Sequence, residues 1–193
     1  MSFEGFNSIQ IENKGAISEE FLKLELTNLG DALRYIQNLD YGRNSDKENR
    51  LLVLQEQRGT CGTKHATLYE LIKEQGYSNW ELFLGVYIID SENTEEAEDL
   101  LLDSGVFECP NAHVYLKYNG ETIDATKKDS DKLQFRSRLV KEEQIEAEQI
   151  SDYKKEYLIT FMKDWYKESE LSCSHPYQYV LDLRERIIQK LSV

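Results

Sequence analysis

Cys61, His113 and Asp124 are the residues of this sequence whose types and spacing could support nucleophilic chemistry. Cys61 lies in Gly59-Thr60-Cys61-Gly62, where the two glycines give a sharp chain entry and open access to the sulfur. The spacing predicts a helix that starts at Cys61, or one residue later, and stops before Gly76. Thr60 is placed to accept from first-turn amides, and Gly76 to make the left-handed stop. His65, Leu68, Leu71 and Ile72 recur at helical spacing as its buried face. A cysteine at the amino end of a helix meets unpaired amides and the positive end of the dipole. Both favour thiolate over thiol.

The stretch from Ala112 to Thr126 supplies the partners. Asn119-Gly120 predicts a two-residue type I′ turn. That turn sets Tyr118 opposite Glu121, Leu116 opposite Ile123, Tyr115 opposite Asp124 and His113 opposite Thr126. Alternation then puts Val114, Leu116, Ile123 and Ala125 on one apolar face. His113, Tyr115, Asp124 and Thr126 share the other, with Asp124 the diagonal neighbour of His113. A carboxylate beside an imidazole fixes its tautomer and stabilises the imidazolium.

Acyl transfer from an amide needs a strong nucleophile, a proton shuttle and donors for the oxyanion. Cys61 and His113 meet the first two needs, and the Cys61 backbone N–H is one candidate donor. A rival set is Cys61, His65, Cys109 and His113, two sulfurs and two nitrogens of the kind zinc accepts. By itself His65 reads as a hydrogen-bonded core histidine, because it shares the Leu68/Ile72 face. His175, before Pro176, reads as a surface cap residue. Cys109, flanked by the Glu108 carboxylate, and Cys173, in a polar loop, are expected to be ordinary thiols.

These residues need a scaffold. The chain has 193 residues, 40% of them apolar and 11% aromatic, enough for one domain with a sizeable core. Its net charge of -13 disfavours nucleic acid and anionic membrane surfaces as partners; it mildly favours basic substrates, although a soluble, self-repelling surface is the plainer reading. The first residues lack the basic and apolar regions of a signal peptide, and no run is long enough to span a membrane. Three widely spaced cysteines make no disulfide framework, so a cytoplasmic protein with free thiols is expected. No organic cofactor motif is present.

In chain order, residues 1–16 show little periodicity and read as a loosely attached arm. Ser18 with Glu19 and Glu20 reads as one helix start, and Asn28 with Asp31 as another. The second carries Leu29, Leu33, Ile36 and Leu39 on one face until Gly42. Residues 43–50 form a polar loop, and the short apolar run 51–54 leads into the cysteine turn. Residues 82–89 are apolar on both faces, the pattern of a central strand. The acidic run 91–99 with Leu100, Leu101 and Leu102 reads equally as a short helix or an exposed loop. Residues 127–132 form a polar loop. Ser151 caps a helix with Leu158, Phe161, Met162 and Trp165 as its stripe. Pro176 opens another with Val180, Leu183, Ile187 and Leu191.

Gly59-Thr60-Cys61 heading a helix, a strand after it, Ala112-His113 opening a second strand and Ile123-Asp124-Ala125-Thr126 on a third together resemble the transglutaminase-like superfamily. The resemblance covers roughly residues 50–126 and keeps the order Cys, His, Asp. It implies an α+β fold whose papain-like core packs a central helix on a small antiparallel sheet, with flanking N- and C-terminal helices in one domain. It implies Cys61 as nucleophile, His113 as base and then acid, Asp124 as orienter, and a peptide or other amide as substrate. Gln55 resembles the helper glutamine of papain-like enzymes, with Gln57 the alternative. Gly62 stands where animal transglutaminases often carry an aromatic residue, and Ala125 where the family usually has proline. Neither calcium regulation nor protein cross-linking is carried over. A catalytically inactive binding module on the same scaffold is the alternative.

Overall fold

The computed structural model describes residues 3–128, 130 and 133–191. The expectations for residues 1 and 2 of the arm and for 129, 131 and 132 of the polar loop lie outside them. The helices are α1 (Ala16–Lys23), α2 (Leu29–Asn38), α3 (Leu52–Gln55), α4 (Cys61–Gln75), α5 (Glu98–Ser104), α6 (Asp152–Glu168) and α7 (Tyr177–Lys190). The strands are β1 (Asp40–Tyr41), β2 (Arg58–Gly59), β3 (Trp80–Ile89), β4 (Cys109–Tyr118), β5 (Glu121–Ile123) and β6 (Leu139–Ile145). This is a mixed α+β chain with a small antiparallel sheet and flanking helices. Its four strands run in the order β5-β4-β3-β6, and β1 and β2 form a separate parallel pair. Among the described residues no helix is long and apolar enough to cross a membrane.

Two compact units interleave along the chain. The first comprises Met1–Leu84, Val114–Leu133 and Glu143–Ser151; the second comprises Gly85–His113, Gln134–Glu142 and Asp152–Val193.

In the first unit α4 is central. Residues from Cys61 to Tyr69, then Leu71 and Ile72, are all buried, with α1, α2, α3, β2 and the turn at Ala147–Ile150 packed around them. Its start and stop match the sequence. Thr60 and Thr63 cap each other reciprocally, and Gly76 ends the helix at φ 83. Asn28 caps α2 by accepting from the Asp31 amide. Helix α1 starts differently from expectation. Its cap position is Gly15, Ser18 reaches back to the Lys14 and Gly15 amides, and the Glu74 carboxylate accepts from the amides of Ile17 and Ser18.

Residues 3–16 are docked, not loose. Phe3, Phe6 and Ile11 are buried, and the Phe6 ring lies 5.0 Å from Trp80 and 5.2 Å from Tyr118. The Ile11 amide donates to the Thr27 carbonyl, and Gln10 bridges to Asn28. A short 3₁₀ turn followed by extended chain has no helical or strand period, so the pattern gave no sign of it. Phe6→Ala is expected to cost about 3–5 kcal/mol, as for other buried aromatic truncations. Thermal unfolding checks this, and an unchanged melting temperature would leave the segment undocked.

The Asn119-Gly120 turn has φ 50 and φ 82, as a type I′ turn requires. The register is as expected for Tyr118 opposite Glu121 and Leu116 opposite Ile123. The ladder then ends at Ile123, so the expected pairs Tyr115–Asp124 and His113–Thr126 do not continue it. The cause is local: Asp124 Oδ1 accepts from the Thr126 amide at 2.9 Å and turns the chain out of register. Both expected faces are covered, because Tyr115 and Asp124 are as buried as Val114 and Leu116.

In the second unit Val180, Leu183 and Ile187 of the stripe predicted for α7 and Leu158 and Met162 of that for α6 are buried, while Leu191, Phe161 and Trp165 are half-buried. Arg184 donates to the Asn111 side chain, which donates in turn to the Tyr87 hydroxyl.

Candidate functional site

The first unit gathers Cys61, Lys64, His65 and Asp124 at the amino end of α4. Cys61 is the first residue of the helix and only 4% exposed. Lys64 follows one turn later and is fully buried. Its Nζ donates to the Leu39 carbonyl at 2.6 Å and to the Thr126 carbonyl at 2.7 Å. Burial pushes the Lys64 ammonium down to about 8, while Asp40, Asp124 and Cys61 pull it upward. The Lys64 stem is gripped by Gly59, where an added Cβ would stand 2.8 Å from Lys64 Cγ and 2.9 Å from Thr63 Oγ1. Glycine at 59 therefore serves close approach at least as much as chain freedom.

His65 is a core histidine, as its face predicts. The Ala125 amide donates to Nε2 at 2.8 Å, so the ring proton sits on Nδ1, which donates to the Cys61 carbonyl at 2.9 Å. Both ring nitrogens are thus engaged. Asp124 Oδ1 lies 3.5 Å from Nε2. Since Nε2 is an acceptor there, this approach is not an ion pair; the two atoms take the neighbouring amides of Ala125 and Thr126.

This geometry removes His65 from the four-ligand zinc set, because neither ring nitrogen keeps a lone pair for a metal. Among the described residues no group of three or more metal-ligating side chains is placed to hold an ion.

His113 belongs to the second unit and is half-buried. Its ring is tilted against Phe135 at 4.6 Å and edge-on to Tyr87 at 6.3 Å. Cys109 is also there, fully buried, and burial pushes its thiol up to about 12 against the opposing pull of Arg184. Desolvation, not the neighbouring Glu108 named from the sequence, is the larger cause; Glu108 is paired with Arg138. Cys173 is exposed. Gln55 ends α3 and Gln57 adopts φ 53, both exposed. His175 rests on Tyr179 at 5.0 Å, and its Nδ1 meets Ser174 Oγ.

Sequence reasoning missed Lys64. A signal existed: Lys64 follows Cys61 by three and precedes Leu68 by four, which puts it on the buried side of the helix. Phe135, buried near a polar segment, was also missed.

Compared with protein families, curated proteins and solved structures, the chain matches none. The transglutaminase-like resemblance therefore rests on the residues quoted for it.

Proposed function

We propose that the chain is a cysteine-dependent acyltransferase or amide hydrolase acting through a thioester. Cys61 is the nucleophile, His113 the base and then acid, and Asp124 the carboxylate that orients the histidine. One observation carries this reading: Cys61 heads a buried fifteen-residue helix capped by Thr60, in the unit that also buries the Lys64 cation and the Asp124 carboxylate. Helix amides, the helix dipole and a buried cation all favour sulfur as the anion.

Attack by the thiolate on an amide carbonyl forms the C–S bond. The leaving amine takes the proton held by His113. Water or a second amine then attacks the thioester, giving its proton back to the imidazole as the thiolate leaves. The Cys61 amide and Gln55, or Gln57 in its place, are the donors assigned to the oxyanion. The charge of -13 favours basic peptides or amines among the substrates.

The test is acylation by p-nitrophenyl acetate, followed by intact-mass and peptide mass spectrometry. A burst of nitrophenolate with one acetyl group on Cys61 is expected, and Cys61→Ala should abolish both. Acetylation confined to Cys173 or to surface lysines would overturn the reading. An acetyl-Cys61 that forms but never turns over would favour the binding module.

A further inference from the structure

We propose that Lys64 is the positioning cation of the Cys61 site, clamping the segment 124–126 to α4 and biasing Cys61 toward the thiolate. This rests on the reading of Cys61 as nucleophile. Consecutive residues of α4 grip consecutive residues of that segment. Lys64 holds the Thr126 carbonyl, His65 holds the Ala125 amide, and the Thr126 amide returns to the Asp124 carboxylate. The place of Asp124 relative to the helix is thereby set by three hydrogen bonds between 2.7 and 2.9 Å.

A fully buried lysine is a costly choice. Desolvating an ammonium is unfavourable, and a leucine at this helix position would pack without that cost. Its two carbonyl partners are neutral, so they satisfy donors without balancing charge. The charged or ionisable groups acting on it are Asp40 on β1, Asp124 after β5 and Cys61 on its own helix. His65 beside it is neutral by its hydrogen bonds, so of the two neighbours on the helix Lys64 is the one that carries positive charge, and that charge interacts with Cys61. Gly59 against the stem and the Leu39 carbonyl at the tip hold the ammonium where it is.

The role is read from the pH profile of Cys61 alkylation by iodoacetamide, an uncharged probe. Lys64→Met keeps a linear stem without charge. It should slow alkylation about tenfold near pH 6.5 and leave it nearly unchanged near pH 9.5, a shift of about one unit. A purely structural lysine would lower the melting temperature and leave the midpoint alone. An activated wild type with the same midpoint in Lys64→Met overturns the lysine's role and leaves the nucleophile standing. A wild-type Cys61 that titrates as an ordinary thiol overturns both. Should Lys64→Met fail to fold, side-chain NMR of Lys64 in the wild type and in Cys61→Ser decides. Without the sulfur anion the ammonium should titrate at lower pH, and an unmoved midpoint overturns the proposal.

Discussion

Asp124→Ala is expected to lower the melting temperature by about 5–15 °C, and Asp124→Asn by only a few degrees. Alanine leaves the Thr126 amide buried without its acceptor, which costs about 1–3 kcal/mol. It also removes a negative charge that acts on Lys64. Losing a buried counter-charge can cost about 3–5 kcal/mol, but Lys64 has a cheaper response. Because its ammonium sits at about 8, shedding the proton at pH 7 costs only about 1.4 kcal/mol, and that limits the electrostatic loss. The sum is about 2–4 kcal/mol, or 5–15 °C for a chain of this size. Asparagine loses the charge but keeps an oxygen for the Thr126 amide.

The pH dependence of stability has a definite sign. Lys64 binds its proton more weakly when folded than the ordinary value of 10.5, so between about pH 8 and 10.5 the unfolded chain holds more protons there. Stability from this group therefore rises with pH across that window. In Asp124→Asn the window should extend below pH 8. Catalysis falls further than stability: if Asp124 orients the base, acylation by p-nitrophenyl acetate should drop by up to about 10⁴ in the folded asparagine variant. Unchanged acylation there would remove Asp124 from the site. Equal melting temperatures for the two variants would contradict the Thr126 contact.

The elements around the nucleophile were legible because glycine and asparagine mark them chemically. Gly76 is where α4 needs a left-handed residue, and Asn119-Gly120 is where the hairpin needs two. What was illegible broke the pattern on which such reading depends. Lys64 is a charged residue in the core, admitted by two backbone carbonyls that are distant in sequence. Strand β6 is largely polar, LVKEEQI, and only Ile145 is buried, so it shows no apolar period. Phe3 and Phe6 dock through a short 3₁₀ turn with no period of its own. The hairpin register held to Ile123 and failed beyond it, because the Asp124 side chain competed with the ladder for a neighbouring amide. That competition makes Asp124 a turn residue as well as a candidate catalytic one.

Cys61 should react with iodoacetamide near neutral pH much faster than either other cysteine, although Cys173 is the exposed one. The three thiols differ in environment. Cys109 is buried without enough positive charge to offset desolvation, and at about 12 it stays a thiol throughout the accessible range. Cys173 is accessible, and an ordinary thiol near pKa 8.5 has a few per cent thiolate at pH 7. Cys61 has the α4 amino end, the Lys64 ammonium and, by the proposal, the His113 imidazolium. At 4% exposure it also pays a penalty in access, so the absolute rate alone does not decide. The midpoint of the profile does, because access scales the rate equally at every pH.

The most direct measurement is therefore the pH profile of alkylation at Cys61, resolved from Cys109 and Cys173 by peptide mass spectrometry, in the wild type and in His113→Ala. The wild-type midpoint should fall below pH 7, and His113→Ala should raise it by about one unit or more, equivalent to about 1.4 kcal/mol of lost ion-pair stabilisation. A Cys61 that titrates near 8.5 with or without His113 would contradict the account.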